Sequence, residues 1–398
     1  MTRSVIIASG VRTAIGDFQG ALAGISPGDL GAAVAREAIA RAGCTGADIG
    51  QTVFGNVIHT APEDMYISRI VAMRAGVPDS VPALTLNRLC GSGLQAVVTA
   101  AEQILLGNTD IALAGGTENM SRAGHLLTQA RIGQKMGDLT ATDMMVGALT
   151  DPFGNGHMGV TAENVAEQCS IDRATQDAFA VESHRRAAKA ISEGRFVGQI
   201  LPLTVKKGRA DLVFETDEHV RPDVTLADMT KLRPAFQKDG SVTAGNASGI
   251  NDGAGALVLM AAGVAAARGV VPLARIVAYG LGGVAPEVMG LGPVPAVKQA
   301  LARAGLTVAD LDVIESNEAF AAQACAVADE LGFPPEKTNP NGGAVALGHP
   351  IGASGAIILI KLIYELQRSN GRYGLATMCI GGGQGIAVIV ENTSVAAQ

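Results

Sequence analysis

Asn87-Arg88-Leu89-Cys90-Gly91-Ser92-Gly93-Leu94 leads into Gln95-Ala96-Val97-Val98-Thr99-Ala100-Ala101-Glu102, an apolar helical run that opens on Gly-Ser-Gly. A strand-like Ile111-Ala112-Leu113-Ala114 and the pair Gly115-Gly116 follow. The same order returns later in the chain. Gly352-Ala353-Ser354-Gly355 opens a second helical run, then come Leu375-Ala376-Thr377-Met378 and Gly381-Gly382. Two copies of one α/β unit account for this repeat; the alternative is chance similarity in an Ala/Gly-rich chain. If the repeat holds, Cys90 and the turn from His349 to Ser354 occupy related positions. They then meet at a pseudo-twofold, where helix N-termini converge.

Outward from this repeat, short β-branched runs alternate with Ala-rich helical patterns, as in layered α/β proteins. The patterns predict strands at Val5–Ser9, Gln51–Gly55, Ile111–Gly115, Ala256–Met260, Ala274–Tyr279, Val313–Ser316, Leu375–Ile380 and Ile386–Glu391. They predict helices at Pro27–Ala42, Met65–Ala75, Gly91–Leu106, Thr161–Cys169, Ser170–Gly194, Pro293–Ala304, Glu318–Leu331 and Gly352–Arg368. The stretch from about Ser121 to Asn246 breaks the rhythm and is richer in charge and loops. It reads as an insertion, and so as a lid or ligand-binding loop domain.

Composition narrows the function classes. The chain has 398 residues, 48% hydrophobic and 17% charged, which implies two or three domains and an ample core. Trp is absent, aromatics make up 3% and glycines number 51, so the core must be aliphatic and closely spaced. So few rings argue against a stacking platform for single-stranded nucleic acid. The net charge of −7 argues against a nucleic-acid or anionic-membrane partner. The charge is uneven. Arg185 to Lys238 carries eleven Lys/Arg against seven Asp/Glu, a local +4 that suits a phosphate-bearing small ligand or a solvated face equally. The five cysteines form no CxxC, so neither a disulfide framework nor a zinc site is indicated, and a reducing cytoplasm is expected. The start Met1-Thr2-Arg3-Ser4-Val5 has no signal-peptide character, and the uncharged stretch Thr338–Ile360 is too rich in Gly, Asn and Pro to read as a membrane span.

Two of the cysteines carry a chemical signal. Cys90 opens a helix, where free N–H groups and the helix dipole favour a thiolate. Cys379 lies in Met378-Cys379-Ile380-Gly381-Gly382-Gly383, whose glycines offer the bare N–H donors an oxyanion hole needs. Between them stands Gly348-His349-Pro350-Ile351-Gly352. Two thiols and an imidazole in such settings suggest covalent chemistry on a carbonyl with a spare acid/base. The alternative is that both cysteines are small buried hydrophobes and the glycines mark turns. Cys44, Cys169 and Cys325 are read as structural. His59, His125, His184 and His219 are read as surface or satisfied histidines. Gly115-Gly116 lacks a GxGxxG pattern, which leaves a nicotinamide enzyme unsupported.

The Cys90 stretch resembles the nucleophile motif of thiolases. Asn317-Glu318-Ala319-Phe320-Ala321-Ala322-Gln323, the run from Asn341 to Gly355, and Cys379-Ile380-Gly381-Gly382-Gly383-Gln384-Gly385 resemble that family's other three signatures. The likeness runs from Arg3 to Glu391 and is strongest to short-loop bacterial β-ketothiolases, the acetyl-CoA acetyltransferases. It implies an α/β thiolase fold, two duplicated halves in a five-layer αβαβα sandwich with an inserted loop domain. By resemblance, residues 1–120 plus 247–270 form the half bearing Cys90. Residues 121–246 form the loop domain that binds CoA, and 271–398 the half bearing Asn317, His349 and Cys379.

The resemblance also implies roles. Cys90 is the acylated nucleophile, His349 its base and Cys379 the acid/base on the α-carbon. Asn317 holds a water that stabilises a thioester enolate together with His349 Nε2. The N–H groups of Cys90 and Gly381 form a second oxyanion hole. Arg221 and Ser248 become contacts to the nucleotide end and the pantetheine of CoA. His157, Met158, Leu232, Phe236, Ala244, Ala319 and Phe320 fall where pantetheine and acyl contacts are expected, and Met289 walls the acyl pocket. CoA and acyl-CoA are substrates, with no permanently bound cofactor and no metal. The likeness further implies a homo-oligomer: an isologous dimer, or a tetramer tethered by Gln129–Met136. The Asn56–Tyr66 segment resembles the version in enzymes that also take five-carbon substrates. Two other readings are a decarboxylating ketoacyl synthase-like enzyme, against which Cys379 argues, and a non-catalytic CoA-binding scaffold, against which four intact motifs argue.

Overall fold

The computed structural model describes residues 3–208 and 210–395; the outermost residues of the two expected halves, 1–2 and 396–398, and Arg209 of the basic segment lie outside them. The principal elements are β1 (Val5–Thr13), α1 (Pro27–Arg41), β2 (Gln51–Gly55), α2 (Ile67–Arg74), β3 (Ala83–Leu86), α3 (Ser92–Leu105) and β4 (Ile111–Asn119). Next come α4 (Met158–Gln168), α5 (Arg173–Ser192), β5 (Asn251–Ala261), β6 (Ala274–Gly283), α6 (Pro293–Ala304) and β7 (Val313–Ser316). The chain closes with α7 (Ala321–Leu331), α8 (Ile351–Ser369), β8 (Tyr373–Ile380) and β9 (Gln384–Glu391).

Local chemistry explains several boundaries. Ser26 caps α1 by accepting from Asp29 N at 3.1 Å, and Pro27 begins the helix where no N–H is needed. α6 stops at Gly305, whose φ of 66° is left-handed.

The strands run in the order β7-β8-β9-β6-β1-β5-β4-β2-β3. The order mirrors about the β1–β6 junction: β6, β9, β8 and β7 repeat β1, β5, β4 and β2. Among the described residues the β1–β6 pairing is short, with Ile6 and Ile7 opposite Arg275 and Ala274. Each half combines parallel outer pairs with antiparallel inner ones. The predicted repeat is therefore structural, α3–β4 matching α8–β8.

Side chains sort the layers. Along β5, Ala256, Val258 and Met260 face the α1 side, while Leu257, Leu259 and Ala261 face α3 and α8. Along β9, Ile386, Val388 and Val390 join that same central cluster, and Ala387 and Ile389 face α6. The two-residue period thus fills two outer apolar clusters and a central one that surrounds α3 and α8. α3 and α8 lie back to back in the middle. A Cβ on Gly93 would sit 2.7 Å from Ala356 N, and one on Gly355 2.3 Å from Leu94 N. The two helix backbones touch, which only glycine allows. Between Asn119 and Asn251 the chain makes an excursion that holds α4 and α5 and touches the sheet where Ile200 and Leu201 pair with Arg12 and Thr13 at the end of β1. Among the described residues no helix is long and apolar enough to cross a membrane.

Candidate active site

Cys90 stands at the top of α3 on a strained turn. Leu89, just before it, has φ of 45°, a left-handed value that costs a non-glycine residue roughly 1–3 kcal/mol. Side chains hold the turn. Asn87 Oδ1 accepts from Leu89 N at 2.8 Å, and Ser92 Oγ accepts from Arg88 N at 2.8 Å while donating to Leu89 O at 2.6 Å.

The helix-end position leads one to expect a thiolate. The structure gives a thiol. Burial pushes Cys90 up to about 11, against the N–H groups of Gly381 and of Cys90 itself, and the Glu118 charge adds to the rise. A helix terminus contributes about 0.3–2 kcal/mol, whereas burial shifts a pKa by up to roughly 3–5 units. Desolvation therefore wins.

His349 follows Gly348, whose φ is 103°. Its backbone N–H donates to Asn251 Oδ1 at 2.9 Å, and its Nδ1 lies 2.6 Å from Ser354 Oγ. Ser354 has one hydroxyl proton and donates it to Pro350 O at 2.9 Å. Its oxygen must then accept from Nδ1–H, which assigns the tautomer and leaves the Nε2 lone pair free. Asn317 Nδ2 lies 3.4 Å from that Nε2. Burial pushes His349 down to about 4, so the ring is neutral at ordinary pH.

Cys379 is the penultimate residue of β8 and is almost fully enclosed. Burial raises its thiol far above the ordinary value, and the nearness of Cys90 raises it further. The turn Gly381–Gly383 links β8 to β9; Gly382 and Gly383 have φ of 80° and 87°, values that favour glycine.

Cys90, His349, Cys379 and Gly381 line one cavity of about 410 Å³. Its walls include His157, Met158, Arg221, Phe236, Ala244, Ser248, Met289, Ala319 and Phe320, all singled out from the sequence. His157 stacks on Phe236 with centroids 4.8 Å apart, and Phe320 meets Phe236 edge-on at 6.1 Å. Met289 packs with Met158, Ala319, Phe320 and Cys379 in one apolar cluster. Ser248 N donates to Ala319 O at 3.0 Å, tying the pantetheine-side candidates to the turn after Asn317.

Two expected residues lie off this cavity. Asn317 is buried and does not line it, though its Nδ2 approaches His349 Nε2. Leu232 lines an adjoining cavity of about 170 Å³, which shares Arg221, His219 and Ala244 with the first. The two together make a slot from the thiols to Arg221 and Leu232. His219 is a satisfied histidine rather than a surface one: its Nδ1 lies 2.7 Å from Asp17 Oδ1, and the ring lines both cavities. His184 is buried and accepts from Arg221 N at 3.1 Å, as a satisfied histidine does. The sequence does not mark Ser354 as the partner of His349; its place five residues on, in the first turn of α8, is the available signal. Among the described residues all five cysteines are free thiols, and no group of three or more His, Cys, Asp or Glu is placed to hold a metal ion.

With this geometry established, comparison with known proteins decides the family. The family model for the thiolase N-terminal domain matches residues 5–263, and that for the thiolase C-terminal domain matches 270–392. The chain is a member of the thiolase family. It is 61% identical over 392 residues to a protein of Cupriavidus necator named beta-ketothiolase BktB, covering 98% of this chain and 100% of that one. It is 50% identical to an acetyl-CoA acetyltransferase of Shinella zoogloeoides, covering 98% of this chain and 99% of the relative. The crystal structure of human mitochondrial 3-ketoacyl-CoA thiolase in complex with CoA superposes with a TM-score of 0.96 at 42% identity, covering 98% of each chain. The thiolase fold expected from the sequence is thereby shown, and the chain is a thiolase-type acyltransferase.

Proposed function

We propose that this thiolase catalyses reversible transfer of an acyl group between a carbon atom and the thiol of CoA, on short-chain 3-ketoacyl-CoA. The carrying observation is that Cys90, Cys379 and His349 share one cavity that continues to Arg221. In the cleavage direction, Cys90 gives its proton to His349 Nε2 as its sulfur attacks the C3 ketone. Both pKa shifts disfavour a resting thiolate–imidazolium pair, so proton transfer accompanies the attack. The C2–C3 bond breaks and its electron pair moves onto the thioester as an enolate. Cys379 protonates C2, and acetyl-CoA leaves. The thiol of a second CoA loses its proton to Cys379 and attacks the acyl group on Cys90. The new thioester departs, and His349 returns its proton to Cys90. Asn317, beside Nε2, holds the water that with His349 stabilises the enolate. The N–H groups of Cys90 and Gly381 receive the other developing oxyanion.

In this reading residues 121–246 act as the CoA-binding loop domain inserted into the first thiolase half. Arg221 faces the nucleotide end and Ser248 the pantetheine. No cofactor is permanently bound, and the enzyme works in the cytoplasm as a homodimer or, through Gln129–Met136, a tetramer. Exposed Ile132 and Met136 in that loop support the tetramer; a monomer mass by light scattering at micromolar concentration overturns both states. The decisive assay is loss of acetoacetyl-CoA absorbance on adding CoA. No consumption sinks the proposal.

A further inference from the structure

Glu118, near the end of β4, is fully buried and belongs to none of the steps above. Its carboxylate collects four N–H donors. Oε1 accepts from Asn56 Nδ2 at 3.0 Å and Ile58 N at 3.1 Å; Oε2 accepts from Val57 N at 3.1 Å and Gly352 N at 2.8 Å. Lys and Arg are absent from these partners. Gly352 lies in the first turn of α8, and a Cβ there would stand 2.5 Å from Glu118 Oε2 and 3.1 Å from Asn56 Cα. The carboxylate and the Asn56 backbone occupy the space a side chain would need.

The segments joined here matter to the cavity. α8 starts two residues after His349. Ile58 packs with Met120 and Ile351, and Val57, Leu149 and Cys90 lie against that cluster. Met120, Leu149 and Ile351 line the cavity beside Cys90. One buried carboxylate therefore pins an apolar wall, reached through backbone amides, to the helix that follows the base. Arg221 and Ser248 stand on other segments.

We propose that Glu118 is a positioning residue for acyl-chain selection: it holds Val57 and Ile58 against the start of α8 and so sets the room open to the acyl group on Cys90. This rests on the reading that Cys90 carries that group. Glutamine cannot replace it, because its NH2 would face two of the four N–H donors.

The test compares wild type and E118Q by kcat/KM on 3-ketoacyl-CoA of four, five, six and eight carbons, with KM for CoA measured alongside and folding checked by circular dichroism. E118Q is expected to lose activity on the four-carbon substrate and to raise the eight- to four-carbon ratio by about tenfold, with KM for CoA unchanged. An equal loss at every length, or unchanged ratios, overturns the inference. If E118Q does not fold, N56S, which removes one of the four bonds, carries the test: a smaller shift the same way supports the inference and unchanged ratios overturn it. A wild type inactive at every length sinks the functional reading and this inference with it. An active wild type with unchanged variant ratios sinks this inference alone.

Discussion

Ser354 Oγ takes the Nδ1 proton of His349 while giving its own to Pro350 O, so a hydroxyl in the first turn of α8 decides which imidazole nitrogen is basic. Ser354→Ala leaves Nδ1–H buried without an acceptor. That costs about 1–3 kcal/mol, or roughly five- to hundredfold in kcat. Steady-state kinetics should show the loss in kcat with little change in KM. An unchanged kcat would assign the tautomer to some other contact.

The two thiols separate by trapping. Cys379→Ser should still take an acetyl group on Cys90 from acetyl-CoA, seen by intact mass and peptide mapping after acid quench. Its cleavage of acetoacetyl-CoA should slow by roughly 10²–10⁴-fold, the usual loss of a positioned acid/base. Acetyl found on Cys379 alone in wild type, with none on Cys90, would falsify the assignment.

The pH dependence follows from His349. A base works in its neutral form, which exists above its pKa. Burial pushes that pKa down to about 4. The acid limb of kcat/KM should therefore lie well below the ordinary histidine value of about 6.5, and activity should persist to about pH 5 in short pH-jump assays. The same shift has a stability sign. The unfolded chain binds the proton first, so this contribution is full above about 6.5 and is lost as pH falls towards 4. A limb at 6.5 or higher means the base is better solvated than the structure implies.

In the proposed function the walls near Cys90 limit substrate length. Met120, Leu149 and Ile351 stand there, and Met289 closes the side towards Cys379. Activity is expected on four- and five-carbon 3-ketoacyl-CoA with a steep fall by eight carbons. A kcat/KM profile peaking at ten or more carbons would contradict the short-chain assignment and leave the chemistry standing.

Behind Asn317, Lys361 and Glu315 form an almost wholly buried pair at 2.8 Å, and Lys361 also donates to Gly342 O at 2.8 Å. Lys361→Met leaves an uncompensated carboxyl there. Breaking such a pair costs about 3–5 kcal/mol. Chemical denaturation should show a loss of this size; a loss below about 1 kcal/mol would mean that water reaches Glu315.

Much of this was legible in the sequence where pattern and burial agree. Gln51–Gly55, Val313–Ser316 and Pro293–Ala304 have the ends their residues predict. β4 runs four residues past its predicted end because Thr117, Glu118 and Asn119 are polar yet buried. Hydrogen bonds from Thr117 Oγ1 to Pro27 O and from Asn119 Nδ2 to Leu22 O satisfy two of them. Hydropathy cannot see such partners. β3 escaped notice because it is four half-exposed residues at a sheet edge. In the site, Cys90, His349 and Cys379 carried their own glycine-marked contexts. Glu118 and His219 did not, since the groups that give them meaning come from distant segments.

The strand order has a consequence for synthesis. β5 lies between β1 and β4, which do not pair with each other. Translation delivers β1 first and β5 only after residue 251. Until then the inner edges of β1 and β4 lack their native partner, an arrangement of high contact order that slows folding and leaves edges open to wrong pairing. The first half can complete its sheet only once the nascent chain has passed the whole excursion, which makes residues 251–261 the closing stroke of its assembly on the ribosome.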